Sequence, residues 1–499
     1  MFASRSGSRR SRPFATVMTT PPSTPTDPAT GYAGRLAWRW ALVLSVATAV
    51  LIAGPPDGIT PQGWRLLAIF LATIIASIVR PAPMGAVVFI AVCLLAFTGT
   101  MTPIAALQGY ADPIVWLVLC AFMISRAVTK TGLGRRIAFG FIELLGKRSL
   151  GLAYALVATD TALASVVPSN SARAGGIVFP VARSVAEAYE STPGQTRRRL
   201  GAFLMTAVYQ ADVVACAMFL TGQASNVIIA KFALSAGGVE LSYAKWFIGG
   251  VVPGVVSLLL VVYLIYRIYP PEVTHTPLAA QFARDTLARM GPMSRDERIM
   301  LAVFVLIAGL WMTTAWHHFP YTVVALFGVS VLLLTNVLAW EDVLSDRPAW
   351  DTFIWYGGLI NMAQALGDTG VTRQFAEWSA GITAGWGWGI ALVVLLLVYF
   401  YAHYGFASIT AHVTAMFIPF LVVMIAAGAP PALAVLALAY ASNLQASLTH
   451  YGTTTAPIYF GADYVTQREW WTVGFVISLV TITIWGTLGL AWWKVLGWW

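Results

Sequence analysis

The chain has 499 residues, of which 58% are hydrophobic and only 10% are charged, with a formal net charge of +9 at pH 7. Soluble domains carry about 25% charged residues, so this composition excludes a soluble globular protein. Apolar runs of roughly 18 residues recur along the whole length, which predicts an all-α, polytopic membrane protein. The arginines cluster at the ends of these runs, which is typical of a topology signal rather than of a nucleic-acid-binding surface.

Residues 1–34 differ from the rest because they are rich in Ser, Thr, Pro and Arg. We interpret them as a disordered, basic cytoplasmic tail; a transit peptide, or a start assigned too early with Met18 as the true one, are the alternatives. The remaining chain divides into an N-terminal half, 35–268, and a C-terminal half, 299–499. The mixed charge of 269–298 between them predicts a cytoplasmic loop with an interfacial helix.

Eleven apolar segments are the predicted transmembrane helices. In chain order they cover residues 36–54, 62–79, 84–99, 113–130, 200–235, 246–268, 299–316, 320–339, 353–366, 432–460 and 472–494. Arginine and lysine cluster before the first segment, on both sides of the stretch between the fourth and fifth, and after the sixth. By the positive-inside rule, the N-terminus is predicted to be cytoplasmic.

The stretch between the fourth and fifth segments contains "VPSNSARAGG" (167–176), which is rich in helix breakers. Basic clusters flank this stretch on both sides, so both of its ends are expected on one membrane face. It must therefore enter the membrane and turn back, as a re-entrant hairpin over about 150–185. Non-helical backbone at such depth is tolerated only when it is buried in protein or lines a wet cavity.

The second half repeats features of the first half 239 residues later. Asp112-Pro-Ile-Val-Trp116 has its counterpart in Asp351-Thr-Phe-Ile-Trp355, and "SNSARAGGIVFP" (169–180) aligns with "SITAHVTAMFIP" (408–419). This predicts a second hairpin over about 389–425 and, from the opposite directions of the equivalent helices, two inverted repeats. Inverted repeats with interrupted helices are typical of secondary transporters that bind substrate near the midplane. The alternative is a set of unrelated helices that share common small residues.

Small polar residues at the hairpin tips and in the polar breaks "TGQASN" (221–226) and "SLTHYGTTTAP" (447–457) are the candidate substrate ligands. Broken helices leave backbone N–H groups unpaired with a partial positive charge, which suits a carboxylate or another anion. The candidates are Ser169, Asn170, Ser171, Ser408, Thr410, Thr221, Asn226, Thr449 and Thr453. The alternative is that these groups only satisfy the broken backbone.

Two cationisable residues, Arg173 and His412, occupy equivalent positions beside the two tips. An ionisable residue inside the membrane is costly and is therefore a functional candidate. A dicarboxylate between them would meet positive charge from both sides. Alternatively, His412 is a packing histidine, and Arg173 reaches the cytoplasmic face or forms a salt bridge with Asp160.

Four motifs resemble those of the divalent anion/sodium symporter (DASS) superfamily. They are "GYADPIVWLVLCAFMISRAVTKTGLGRRIA", "VPSNSARAGGIVFPVA", "FASITAHVTAMF" and "SLTHYGTTTAPIYFGADYV". They are most similar to the branch with plastid 2-oxoglutarate/malate translocators and bacterial citrate/succinate or tartrate/succinate antiporters. The resemblance implies eleven transmembrane helices plus two re-entrant hairpins, arranged as a homodimer with an elevator-type transport domain.

The resemblance also implies that paired Ser-Asn-Thr tips hold substrate carboxylates and help to form two sodium sites. Ser169, Asn170 and Ser171 match the first tip, and a sodium ion would lie near Ser169, Asn170 and Thr410. In the second tip Ile409 replaces the asparagine, which removes an amide and argues against sodium coupling. Fixed positive charge from Arg173 and His412 would take the place of the sodium ions.

The sequence therefore predicts a secondary active transporter that exchanges di- or tricarboxylates such as 2-oxoglutarate, malate, succinate or citrate. A sodium-coupled symporter is the first alternative and an anion channel the second. An enzyme is not expected, because the chain lacks an HExxH pair, a nucleophile elbow and a Gly-rich phosphate loop. Expected partners are carboxylate anions, lipid and a second copy of the chain. No cofactor is expected, and a sodium ion is the alternative. The expected location is a bacterial inner membrane or, alternatively, a plastid inner envelope.

Overall fold

The computed structural model describes residues 28–371, 374–375, 377–378, 385 and 387–499. Most of the predicted tail, residues 1–27, lies outside the described residues. Helices form all the regular structure of the described residues, which contain one isolated β-bridge and no strand. The prediction of an all-α membrane protein is confirmed.

The described residues of the first half, 28–268, contain eleven α-helices. They are α1 (Pro28–Ala53), α2 (Pro61–Val79), α3 (Met84–Phe97), α4 (Pro103–Leu107), α5 (Pro113–Thr131), α6 (Leu133–Leu145), α7 (Ser149–Ala164), α8 (Phe179–Ala188), α9 (Gly201–Met218), α10 (Ala224–Gly237) and α11 (Tyr243–Ile268). A 3-10 turn, Gln108–Ala111, precedes α5, and a π-helical segment, Ser171–Val178, leads into α8.

The described residues of the second half contain twelve α-helices. They are α12 (Pro277–Met290), α13 (Arg295–Met312), α14 (Thr314–His317), α15 (Tyr321–Leu334), α16 (Trp340–Leu344), α17 (Arg347–Asp368), α18 (Trp388–Tyr401), α19 (Ile409–Ala426), α20 (Pro431–Leu444), α21 (Ala456–Phe460), α22 (Gln467–Ile484) and α23 (Leu490–Val495). Short 3-10 turns follow α18 and α20, and a π-helical turn, Trp485–Gly489, joins α22 to α23.

Seven helical stretches in the described part of the chain are long and apolar enough to cross a membrane. They are Pro61–Val79, Pro113–Thr131, Gly201–Met218, Tyr243–Ile268, Trp388–Gly405, Ile409–Ala426 and Gln467–Val495. Shorter apolar helices accompany them, including α3, α7, α10 and α15. Each of the eleven predicted segments contains a helix, and two of the segments, 200–235 and 432–460, are interrupted in the middle.

The repeated helices α5 and α17 begin and end with the same local devices. Asp112 caps α5 by accepting a hydrogen bond from the Ile114 N–H at 2.9 Å, and Asp346 caps α17 in the same way. Such caps satisfy backbone donors that a helix leaves free at its start. The helical turns that follow each contain a glycine in the left-handed region, Gly132 and Gly370, both with φ of 80°. Glycine adopts this conformation without the penalty that a Cβ would bring.

Two hairpins enter the helical bundle from opposite halves of the chain. Hairpin 1 (residues 149–188) runs through α7, turns at 165–169 and returns through the π-helical segment and α8. Hairpin 2 (residues 388–426) runs through α18 and a 3-10 turn and returns through α19. The two serines and the proline of the first turn favour turn geometry over helix, which ends α7 where the breakers begin.

Each hairpin is followed by an interrupted helix in the core of the molecule. Break 1 (residues 219–223) separates α9 from α10, and break 2 (residues 445–455) separates α20 from α21. Every residue of α9 is buried, as expected for a helix that is hydrophobic on all sides. The α9 side chains Tyr209 and Gln210 donate hydrogen bonds to the backbone carbonyls of Ala446 and Ser447 in break 2. Helix α9 therefore positions the second break directly.

Hydrogen bonds also join the two breaks to each other. The Gln223 amide of break 1 donates to the Asn443 side chain at the end of α20, and Asn443 donates in turn to Asn226 at 2.9 Å. All three side chains are buried. These amides satisfy each other's donors and acceptors in the buried core. The two breaks are thereby held at a fixed mutual position.

Candidate substrate site

A cavity of about 590 Å³, here called cavity 1, lies where both hairpin tips meet both breaks. Hairpin 1 contributes Pro168 to Ala172, and hairpin 2 contributes Ser408 to Thr410. Break 1 and the start of α10 contribute three residues, and break 2 contributes two threonines. Helices α5 and α17 form the remaining wall. Cavity 1 is therefore the place where four interrupted backbone segments converge.

Six of the nine predicted ligands line cavity 1. They are Ser169, Asn170, Ser171, Ser408, Thr410 and Thr453. Hydrogen bonds join the tip of hairpin 1 to break 2: Asn170 Nδ2 donates to Thr453 Oγ1 at 3.0 Å, and Thr454 Oγ1 donates to Asn170 Oδ1 at 3.2 Å. Ser171 Oγ donates to Thr454 Oγ1 at 2.5 Å. Asn170 is thus both a wall residue and the link between two broken segments.

The other three predicted ligands lie outside the lining of cavity 1. Thr221 Oγ1 donates to the carbonyls that end α7, at 3.0 Å from Ala164 O. Asn226 Nδ2 donates to the carbonyls of Cys216 and Phe219 at the end of α9. Thr449 is fully buried, and its hydroxyl has no hydrogen-bond partner among the described residues. Thr221 and Asn226 therefore satisfy the broken backbone, which was the alternative for these positions.

Arg173 does not face cavity 1, in contrast to the expectation from its position beside the tip. It is fully buried, and its Nε and Nη2 donate to Asp160 Oδ1 and Asp212 Oδ1, both at 2.7 Å. Nη1 donates to the carbonyls of Val167 at 3.1 Å and Gly222 at 2.9 Å. The salt bridge with Asp160 was the alternative considered, and it is present. Two carboxylates rather than a bound substrate neutralise the guanidinium.

His412 is likewise buried behind the cavity wall and does not line it. Its ring packs against Tyr399 and Phe406, with centroid distances of 4.4 and 4.7 Å. Its Nδ1 lies 3.3 Å from Nδ1 of His403, whose Nε2 lies 3.0 Å from the Gly452 carbonyl. A carbonyl only accepts, so His403 Nε2 must carry a proton, and a neutral His403 then accepts from His412 Nδ1. This leaves His412 Nε2 unprotonated and without a partner among the described residues.

The two breaks present equivalent glycine carbonyls to these side chains. Gly222 of break 1 and Gly452 of break 2 each immediately precede a residue that lines cavity 1, Gln223 and Thr453 respectively. The Gly222 carbonyl accepts from Arg173, and the Gly452 carbonyl accepts from His403. In each break, a nitrogen-bearing side chain therefore donates a hydrogen bond to a glycine carbonyl. Sequence reasoning paired Arg173 with His412, whereas the contacts to equivalent carbonyls are made by Arg173 and His403.

Several lining residues were missed from the sequence. Gln223, Ser225 and Thr454 lie within or beside the predicted breaks, but neighbouring residues were chosen instead. Arg126 and Asp346 are the only ionisable residues among the described residues that line cavity 1. Arg126 lies in the quoted "SRAVTKTG" motif near the basic end of α5, where it is easily taken as part of the topology signal. Arg126 lies about one turn before the end of α5, inside the helix, and this position could have identified it as a residue of the site.

Comparison with known proteins assigns this architecture to a family. The family model described as the sodium:sulfate symporter transmembrane region matches residues 35–499. The chain therefore belongs to the sodium:sulfate symporter family. This confirms the resemblance to the DASS superfamily, and it makes the chain a multi-pass membrane transporter and not an enzyme.

Curated relatives cover nearly the whole chain. It is 44% identical over 461 residues to a putative malate transporter, YflS, of Bacillus subtilis, covering 92% of this chain and 96% of the relative. It is 43% identical to the chloroplastic dicarboxylate transporter 1 of Arabidopsis thaliana, covering 92% and 83%, respectively. The inner membrane protein YbhI of Escherichia coli is 34% identical over 92% of this chain and 98% of its own length.

A solved structure shares the fold of this transporter. The YdaH transporter of Alcanivorax borkumensis superposes with a TM-score of 0.51, covering 94% of this chain and 99% of that one. The sequence identity is 14%, so this likeness concerns the fold alone.

Proposed function

We propose that this transporter exchanges dicarboxylates across the membrane without sodium coupling. The observation that carries the proposal is the occupation of backbone carbonyls by nitrogen side chains at both breaks. The carbonyls of Val167 and Gly222 accept from Arg173, and that of Gly452 accepts from His403. Carbonyl oxygens in interrupted membrane helices are the usual ligands of a coupling cation. Here these acceptors are engaged with the protein's own donors.

Cavity 1 supplies the groups that a carboxylate needs. Helix α19 starts at the tip of hairpin 2, and the Ser408 side chain makes no capping hydrogen bond to it. The first N–H groups of α19 therefore remain free and carry the positive end of the helix dipole. Hydroxyls and amides from hairpin 1 and break 2 lie on the same cavity. The names of the relatives, which include malate and dicarboxylate transporters, support a dicarboxylate as the substrate.

We expect exchange rather than net uptake, because reorientation of the transporter without a bound substrate costs free energy. The first N–H groups of α19 have no acceptor among the described residues, and an unsatisfied buried donor costs about 1–3 kcal/mol. A bound dicarboxylate supplies the missing acceptors, so the loaded transporter reorients more readily. Arg173 does not add to this cost, because Asp160 and Asp212 pair with it.

We propose elevator-type movement for the reorientation step. The hydrogen bonds between hairpin 1, α9 and the two breaks support the movement of these elements as one rigid unit. The homodimer, the bacterial inner membrane as the location and the cytoplasmic N-terminus complete the proposal. The plastid inner envelope is the alternative location.

Counter-substrate and sodium dependence test the proposal. The protein is reconstituted into proteoliposomes that are empty or loaded with malate, and uptake of labelled malate is followed with and without sodium. We expect uptake only into loaded vesicles and at the same rate without sodium. Sodium-dependent uptake into empty vesicles would establish the symporter instead. Current under voltage clamp without stoichiometric exchange would favour a channel, and a panel of unlabelled carboxylates as competitors identifies the preferred dianion.

A further inference from the structure

A second cavity lies at the other end of the antiparallel helix pair α5 and α17. Cavity 2, of about 890 Å³, is lined mainly by the ends of α10, α17 and α19. Lys130, near the end of α5, bonds to Asp342, just before α17, at 2.5 Å, which fixes the cavity 1 end of the pair. Asn361, far along α17, donates to the Ala105 carbonyl just before α5 at 2.8 Å, which fixes the other end. The two cavities therefore lie towards opposite membrane faces.

The internal repeat relates the walls of the two cavities residue by residue. On α5, Phe122, Ser125, Arg126 and Thr129 line cavity 1. On α17, Asn361, Gln364, Ala365 and Asp368 line cavity 2, and each lies 239 residues after its α5 counterpart. This is the offset that also relates the two hairpin tips. The α17 wall of cavity 2 is thus the repeat-related counterpart of the α5 wall of cavity 1.

The two related walls differ in charge. Arg126 of cavity 1 corresponds to Ala365 of cavity 2, and Thr129 corresponds to Asp368. The described residues that line cavity 2 include Asp368 and no Lys, Arg or His. A dianion that enters from the cavity 1 face therefore meets Arg126 beside Asp346, whereas one that enters from the other face meets Asp368 and no cationic residue on the described wall.

Arg126 is available to a ligand in cavity 1, because its ion pair with Asp342 is long. Its side chain is 45% exposed, and its nearest acidic partner, Asp342 Oδ1, is 3.9 Å away. The other oxygen of Asp342, Oδ2, accepts from Lys130 at 2.5 Å and from the Ala339 N–H at 2.9 Å, so these two donors fix the carboxylate in place. Asp346, the only acid among the described residues that line cavity 1, accepts from the Ala349 N–H at 3.3 Å as the cap of α17. The Arg126 guanidinium donates no hydrogen bond to any residue that the structure describes.

We propose that Arg126 binds the second carboxylate of a dicarboxylate whose first carboxylate lies at the hairpin tips, and that it does so from one membrane face only. The proposal rests on the proposed exchange function and adds a specificity residue to it. Arginine presents planar, paired donors that match a carboxylate, and here they are preset on a helix of the cavity wall. The transporter is thereby asymmetric: its KM for dicarboxylates is lower on the cavity 1 face than on the cavity 2 face.

The test measures KM for malate separately on the two faces, in right-side-out and inside-out membrane vesicles loaded with malate. For Arg126→Gln we expect KM to rise about tenfold on the cavity 1 face, from the loss of one charged hydrogen-bonding partner in a half-exposed site, and to stay unchanged on the other face. Lys130→Gln is the matched control, because Lys130 shares Asp342 but lies outside the cavity lining, and it should leave both values within about twofold. Asp368→Asn should lower KM on the cavity 2 face alone.

Equal changes of KM on both faces in Arg126→Gln, or no change on either, would overturn the proposal. An equal rise in Lys130→Gln would also overturn it, since the effect would then come from Asp342 and not from the substrate. Wild-type vesicles separate this outcome from failure of the proposed function: absence of exchange in the wild type contradicts the exchanger itself. Intact wild-type exchange with identical KM values in Arg126→Gln contradicts only the role of Arg126.

Discussion

Replacement of Arg173 by methionine should leave no stable transporter, whereas replacement of either of its carboxylate partners by an amide should be tolerated. Arg173 contacts hairpin 1, α9 and break 1 through hydrogen bonds to two carboxylates and two carbonyls. Removal of one member of a buried ion pair costs about 3–5 kcal/mol, because the remaining charge is left uncompensated. In Arg173→Met, two buried carboxylates would lose their only cationic partner among the described residues.

The number of buried charges predicts a different stability for each variant of this ion-pair cluster. One guanidinium faces two carboxylates, so Asp160→Asn or Asp212→Asn leaves a balanced pair of one cation and one anion. The double variant Asp160→Asn/Asp212→Asn leaves the guanidinium alone and should fail like Arg173→Met. Thermal unfolding of the purified protein in detergent, followed by tryptophan fluorescence, measures the series. An Arg173→Met protein that unfolds at the wild-type temperature would contradict this account.

Replacement of Asn170 by alanine should lower exchange about a hundredfold while the protein remains folded. Asn170 lines cavity 1, donates to Thr453 and accepts from Thr454. Its loss leaves polar groups of hairpin 1 and break 2 without partners at the site itself, at a cost of about 1–3 kcal/mol each. The burial of the surrounding helices is unchanged, so we expect the unfolding temperature to fall by only a few degrees.

Ser165→Ala is the matched control for Asn170→Ala. Ser165 belongs to the same hairpin but lies outside the cavity lining, and its hydroxyl bonds back to the Ala162 carbonyl at 2.7 Å. Malate exchange in proteoliposomes should therefore match the wild type. Comparable loss of exchange in both variants would mean that the hairpin as a whole, and not Asn170, limits transport. Wild-type exchange in Asn170→Ala would remove the tip of hairpin 1 from the binding site.

The helical architecture was predictable because it depends on local signals. Apolar segment length, basic flanks and helix breakers defined eleven segments, and each of them contains a helix. The offset of 239 residues gave the position of the second hairpin from that of the first. The breaks were found because a run such as "YGTTTAP" cannot continue an apolar helix. Six of the nine predicted ligands line cavity 1. They lie at the hairpin tips or in a break, and the fold brings the tips and the breaks together.

The direction of individual side chains was not predictable, because packing decides it. Arg173 lies beside the tip in sequence, but the helix at this point is π-helical, and the side chain is directed to carboxylates on α7 and α9. Asp212 is separated from Arg173 by 39 residues and lies in an apolar helix, so no local pattern linked the two. The contacts of Thr221 and Asn226 were not predictable for the same reason: a polar side chain at a break can face either a ligand or the backbone, and here both donate to backbone carbonyls.

The amide contacts between the breaks have a consequence for the ancestry of the fold. Asn443 bonds to Gln223 and Asn226, which belong to the other half of the chain. A half-length protein would bury these amides without partners, so it would have to associate with another half in the inverted orientation. Substitutions at these three positions should consequently co-evolve across the duplication.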